Sequence, residues 1–186
     1  MGNPWDPLPI PRDGDLDDKV TYEWVGRIID RWEHIEFTLA RLHSVFVGDP
    51  DGSEALREYG AGRTVIDRER LIRLSAEKWF VRKPNQSREG RFDKFMQEYV
   101  GFSDRRNEIA HGIVHQVSGL TLFRQRTTRP DYLVQYAVIP AYHVMKRYHD
   151  NGVPKYMYGT MEMMQLEAKL IELQLAVFEF LGEINP

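Results

Sequence analysis

Residues 102–117 read FSDRRNEIAHGIVHQV, and whether they continue the helix that leads into them decides the fold. Phe92, Phe95, Met96, Tyr99 and Phe102 step by three and four, and Ile109, Ile113 and Val117 prolong the same phase. The spacing therefore predicts helix as far as Val117, bent near Gly101 or restarted by Ser103 as a cap. On that reading the polar cluster in the middle of the stretch is helical.

Outward from it the chain reads mostly as helix. KPNQSREG at 83–90 breaks the pattern on the N-terminal side, and before it Ile66, Leu71, Leu74, Trp79 and Phe80 mark a helix with a basic outer face. From Leu16 to Val47 apolar residues at Val20, Trp24, Ile28, Trp32, Ile35, Leu39, Leu42 and Phe46 draw one stripe along a long helix. GDPDGS at 48–53 ends it, with Ser53 as the expected N-cap of a short helix reaching Tyr59. Residues 1–16, which hold four prolines, read as an arm that is either mobile or laid across the surface. On the C-terminal side, LTLFRQR at 120–126 and YLVQYAV at 132–138 flank TTRPD and predict a β-hairpin. Residues 140–159 read as irregular. A last helix opens at Thr160 and carries Met163, Leu166, Leu170, Leu173, Val177, Phe180 and Leu181 on one face. The expected class is all-α, a helical bundle with a small inserted hairpin at about 120–138, forming one domain over 17–186 after the arm.

Composition bounds the function. With 186 residues, 42% of them hydrophobic and 28% charged, the chain is ordinary for one globular domain and too apolar for a disordered one. It has no cysteine, which excludes disulfides and thiolate metal sites. No apolar run is long enough to span a membrane, and the acidic, proline-rich N-terminus is unlike a signal peptide, so a cytoplasmic location is expected. The net charge of −3 hides an asymmetry: residues 61–129 carry 15 Lys+Arg against 8 Asp+Glu, and the rest carry 10 against 20. That middle segment could attract phosphate backbones, or it could be the solvated faces of helices.

Helical geometry then sorts the polar cluster. At about 100° per residue, Asn107 and His111 share a face with Asp104 and His115, while Arg106 lies about 140° from His111 on the apolar side. A second copy of the chain, related by a two-fold axis, would pool two arginines and two histidines in one cleft. Such a set suits phosphodiester chemistry. A guanidinium holds phosphate oxygens through paired hydrogen bonds, and an imidazole exchanges protons near neutral pH. RNA supplies its own nucleophile, the 2′-hydroxyl, so neither metal nor other cofactor is expected. Gly112 would permit a close approach of other backbone beside the histidine.

Arg106-Asn107-Glu108-Ile109-Ala110-His111 resembles the Arg, polar, three variable residues, His signature of the HEPN domain superfamily, and RNEIAHG as a whole is similar to many of its members. The resemblance implies a homodimeric, metal-independent endoribonuclease that leaves a 2′,3′-cyclic phosphate. It implies Arg106 on the scissile phosphate, His111 as general acid or base, and Asn107 orienting them. It also implies a toxin of a toxin–antitoxin pair, with an antitoxin partner, or an effector of phage defence. Arg105, Asp104 and His115 join as secondary substrate-binding residues. Ile113 stands where a subgroup carries a tyrosine for modification by a partner enzyme, which argues against that form of control.

Other readings remain open. HEPN-like domains also include non-catalytic modules for dimerisation or for binding RNA or protein, Arg106 could be a buried partner of Glu33 or Glu36, and His111 could be a helix histidine bonded within the fold. His111 and His115 have zinc-chelating spacing and Glu108 with His111 makes a Glu-x-x-His, but a third ligand or a second such motif is lacking nearby in sequence. MEMM at 161–164 and the tryptophans read as core. No phosphate-binding glycine loop, nucleophile elbow or nucleophilic cysteine is present.

Overall fold

The computed structural model describes residues 2–49, 51–141, 149–150 and 153–185. The chain is mostly helical, with helices α1 (Asp18–Val47), α2 (Ser53–Ala61), α3 (Val65–Arg82), α4 (Gln86–Ala110), α5 (Thr121–Arg124) and α6 (Thr160–Ile184). Strands β1 (Gly112–Gln116) and β2 (Tyr136–Pro140) pair antiparallel, as do the two-residue strands β3 (His149–Asp150) and β4 (Val153–Pro154). Among the described residues, no helix is long and apolar enough to cross a membrane. By contacts the chain divides into two compact units, one made of Met1–Arg31 and Asp104–Lys169, the other of Trp32–Ser103 and Leu170–Pro186.

The second unit is helical. Trp32, Ile35, Leu39, Leu42 and Phe46 of α1 are buried as their spacing requires, and so are Leu170, Leu173, Val177 and Phe180 of α6. Aromatic rings fill the interior, with Trp32 stacked on Tyr99 at 5.2 Å and Phe46, Phe92, Phe95 and Phe180 in edge-to-face or tilted contact. On α3 the buried stripe is Ile72, Ala76, Trp79 and Phe80, while Ile66 and Leu74 point to solvent. Trp79 and Phe80 are thus buried as the sequence reading expects, whereas its earlier markers Ile66 and Leu74 are not. The N-cap of α2 also differs: Gly52 occupies the cap in a left-handed conformation, and the Asp49 carboxylate accepts from the N–H groups of Gly52, Glu54 and Ala55. Ser53 is simply the first helical residue.

The first unit is built on β2. Its β1 neighbour pairs from Gly112↔Pro140 to Gln116↔Tyr136, and Tyr136 and Val138 bridge on to Asp15 and Tyr158. The sheet buries Val117, Phe123, Ala137, Ile139 and Met157 in one cluster, with Ile10 and Ile113 against it. Two expectations fail here. α4 stops at Ala110 and residues 112–116 form a strand, because Ile113 and Val114 are β-branched and find a partner in Val138–Ile139. The predicted first hairpin strand at 120–126 is instead the short helix α5, and the true partner of β2 is β1. The end of the N-terminal arm is laid down: Asp13 accepts from Thr127 and Thr128, and Gly14 lies so close to β2 that a Cβ would stand 2.6 Å from the Tyr136 carbonyl oxygen. Much of the stretch read as irregular, 142–148 and 151–152, lies outside the described residues.

Candidate active site

The residues named by the motif stand where α4 ends. Arg106 and Asn107, both half-buried, occupy its last turn, and the Arg106 guanidinium donates through Nη1 to Asn107 Oδ1 at 3.1 Å. That bond fixes the Asn107 amide, since the oxygen is committed and the amide nitrogen is left as donor. His111 is exposed in the turn that follows, and its N–H donates to the Asn107 carbonyl at 3.0 Å, completing the last helical hydrogen bond. Beyond it Gly112 is obligatory. A Cβ there would lie 2.5 Å from Val138 Cγ1 and 2.8 Å from the Glu108 carbonyl oxygen. The close approach expected beside the histidine is thus made by the chain's own strand β2.

Glu108 holds this turn in place. It is buried, accepts from the Tyr158 hydroxyl at 2.5 Å, and pairs with Arg105 Nη2 at 3.0 Å. Burial raises the Glu108 carboxyl above its ordinary value, with Tyr158 and Arg105 pulling the other way. Burial, then the Glu108 charge, pushes the Tyr158 phenol up, so it remains a donor. The hydrogen bond ties the last turn of α4 to the residue that bridges Val138, and so sets the rotation of Arg106 and Asn107 about the helix axis.

The secondary residues fare differently. Arg105 is turned inward with its side chain only 11% exposed, its charge is matched by Glu108, and its Nε and Nη1 are buried without a hydrogen-bond partner among the described residues. It does not present a phosphate contact to solvent as expected. His115 lies half-buried on β1 opposite Ala137, so the shared helical stripe with His111 does not exist. Asp104 is exposed on α4, one turn before Glu108. Among the described residues, no three His, Asp or Glu side chains gather to hold a metal ion.

Several arginines of the middle segment are paired, two of them with carboxylates from outside it, Glu36 and Glu183. Arg68 pairs with Glu36, Arg73 with Glu69 and Asp93, and Arg91 with Glu183. Glu36 is further bonded by Trp32, Tyr59 and Tyr99. Tyr158 and the buried role of Glu108 were invisible in the sequence, since the two residues are 50 positions apart and Glu108 stands at a variable position of the signature. Compared with protein-family models, with curated proteins and with solved structures, the chain matched nothing in any of the three.

Proposed function

We propose that the chain is a metal-independent endoribonuclease of HEPN type that acts as a homodimer, with Arg106, Asn107 and His111 of both copies lining one cleft. The observation that supports it most is the placement of the motif: Arg106 bonded to Asn107 in a last helical turn braced by Glu108 and Tyr158, and His111 exposed one residue past the helix end. A helix C-terminus carries partial negative charge, so a phosphate would be held there only by side-chain cations. Arg106 is the motif's cation for that task, and it stabilises the charge that grows on the phosphoryl oxygens as the 2′-oxygen attacks. His111 takes the 2′-hydroxyl proton or delivers one to the departing 5′-oxygen. The partner copy's histidine does the complementary step.

The products have one end with a 2′,3′-cyclic phosphate and another with a 5′-hydroxyl. The test is a pool of single-stranded RNAs of random sequence in excess EDTA, run beside the same pool with every 2′-oxygen methylated. Cleavage confined to the unmodified pool, with cyclic-phosphate ends, is expected. Equal cleavage of both pools, or dependence on added metal, would rule out this chemistry. A regulatory antitoxin belongs to the same proposal, as does a role in phage defence.

A further inference from the structure

On α3, Leu71, Leu74, Ser75, Lys78 and Arg82 follow one another at steps of three, four and one, and make a single stripe. That stripe is one wall of a cavity of about 370 Å³ completed by residues of α1 and α2. Its floor is polar and fixed. His43, 1% exposed, lies with Nδ1 3.0 Å from Ser75 Oγ and with Nε2 3.0 Å from Glu58 Oε2. Both ring nitrogens are engaged, and Ser75 Oγ also reaches the Ile72 carbonyl at 2.9 Å, so none of the three side chains can turn without breaking a hydrogen bond.

The walls above this floor are carbon. Leu71 is half-buried, Val47 and Leu74 remain 44% and 49% exposed, and Phe46 lies buried beneath them. The cations sit at one end. Arg82 gives Nε to the Lys78 carbonyl and Nη2 to the Phe46 carbonyl, so its planar fork is partly spent on backbone. The Lys78 ammonium has no hydrogen-bond or ion-pair partner among the described residues. Set against Glu58, the two cations leave an excess of one positive charge.

We propose that this cavity binds an alkyl carboxylate of medium chain length, with the chain along Val47, Leu71 and Leu74 and the carboxylate on Lys78 and Arg82. The charge excess matches a monoanion. A phosphate dianion would exceed that single positive charge and leave negative charge uncompensated beside Glu58. The volume lies at the lower end of ligand pockets, about 300–1,000 Å³. Nothing in this site draws on the motif at the end of α4, and its fate is independent of the ribonuclease assignment.

The test is calorimetric titration of the full chain with dodecanoate below its micelle concentration, and separately with dodecyltrimethylammonium. Lys78→Glu and Leu74→Asp, both at exposed positions, are titrated alongside after circular dichroism shows them folded. Saturable one-to-one binding of dodecanoate is expected, weakened at least about tenfold in each variant, with no binding of the cationic amphiphile. Absence of saturable binding, equal affinity for the cationic amphiphile, or variants that bind as well as the wild type would each overturn the proposal.

Discussion

Gly112 shows how one residue can serve the fold and the site at once. It lets β1 leave α4 directly after His111, where any side chain would collide with Val138 and with the Glu108 carbonyl. Gly112→Ala is expected to cost about 1–3 kcal/mol in denaturant unfolding, as overpacking does. A cost near zero would mean that β2 yields easily. Glu108 carries a pH signature. Burial raises its carboxyl above the ordinary value of 4.5, so the folded chain holds that proton more tightly than the unfolded chain. The resulting contribution is full below the ordinary value and is lost as pH climbs through the raised one. Glu108→Gln removes this loss. The stability of the variant relative to the wild type should therefore improve as pH rises from the ordinary carboxyl value through the raised one, and a flat difference would contradict the assignment. At this scale the sequence was legible for identity and illegible for environment. Arg106, Asn107 and His111 could be picked out by type and spacing, whereas the inward turn of Arg105 depends on Glu108 and the distant Tyr158.

At the scale of elements, caps make distinct predictions. Thr64 and Asp67 form a reciprocal capping box on α3, with the Thr64 side chain accepting from the Asp67 N–H and the Asp67 carboxylate from the Thr64 N–H. Thr64→Ala should cost about 1 kcal/mol in thermal or denaturant unfolding, Asp49→Ala should also lower stability, and Ser53→Ala should cost less than about 0.5 kcal/mol. An equal loss at Ser53 would restore the cap that the sequence suggested. Long helices with one apolar stripe, α1 and α6, were legible because a helical period repeated many times has few rivals. The end of α4 was not. Ile109, Ile113 and Val117 step by four, yet Ile113, His115 and Val117 also alternate by two, and a local pattern cannot choose between helix and strand. The choice was made by β2, which pairs with residues at least twenty positions away. The same distance explains α5: the local run LTLFRQR has strand-like residues, but the edge it would have used is taken by β1.

Over the whole molecule, each unit has its own buried polar anchor. In the helical unit the Glu36 carboxylate accepts from Trp32, Tyr59 and Tyr99 and pairs with Arg68. Glu36→Ala would leave three donors and a guanidinium without their acceptor, and should cost about 3–5 kcal/mol in denaturant unfolding. In the other unit Glu108 plays the corresponding part beneath the motif. The mostly helical class was legible in the sequence, but the division of α1, α4 and α6 between two units was not, because periodicity reports which face of a helix is buried and not what buries it. The central claim concerns what Arg106 and His111 do. It is tested most directly by cleavage of a labelled single-stranded RNA pool in excess EDTA by the wild type, Arg106→Ala and His111→Ala, all folded. The account predicts cleavage by the wild type and a fall of about a hundredfold or more in each variant. Cleavage that persists undiminished in either variant, or a wild type that does not cut, would contradict it.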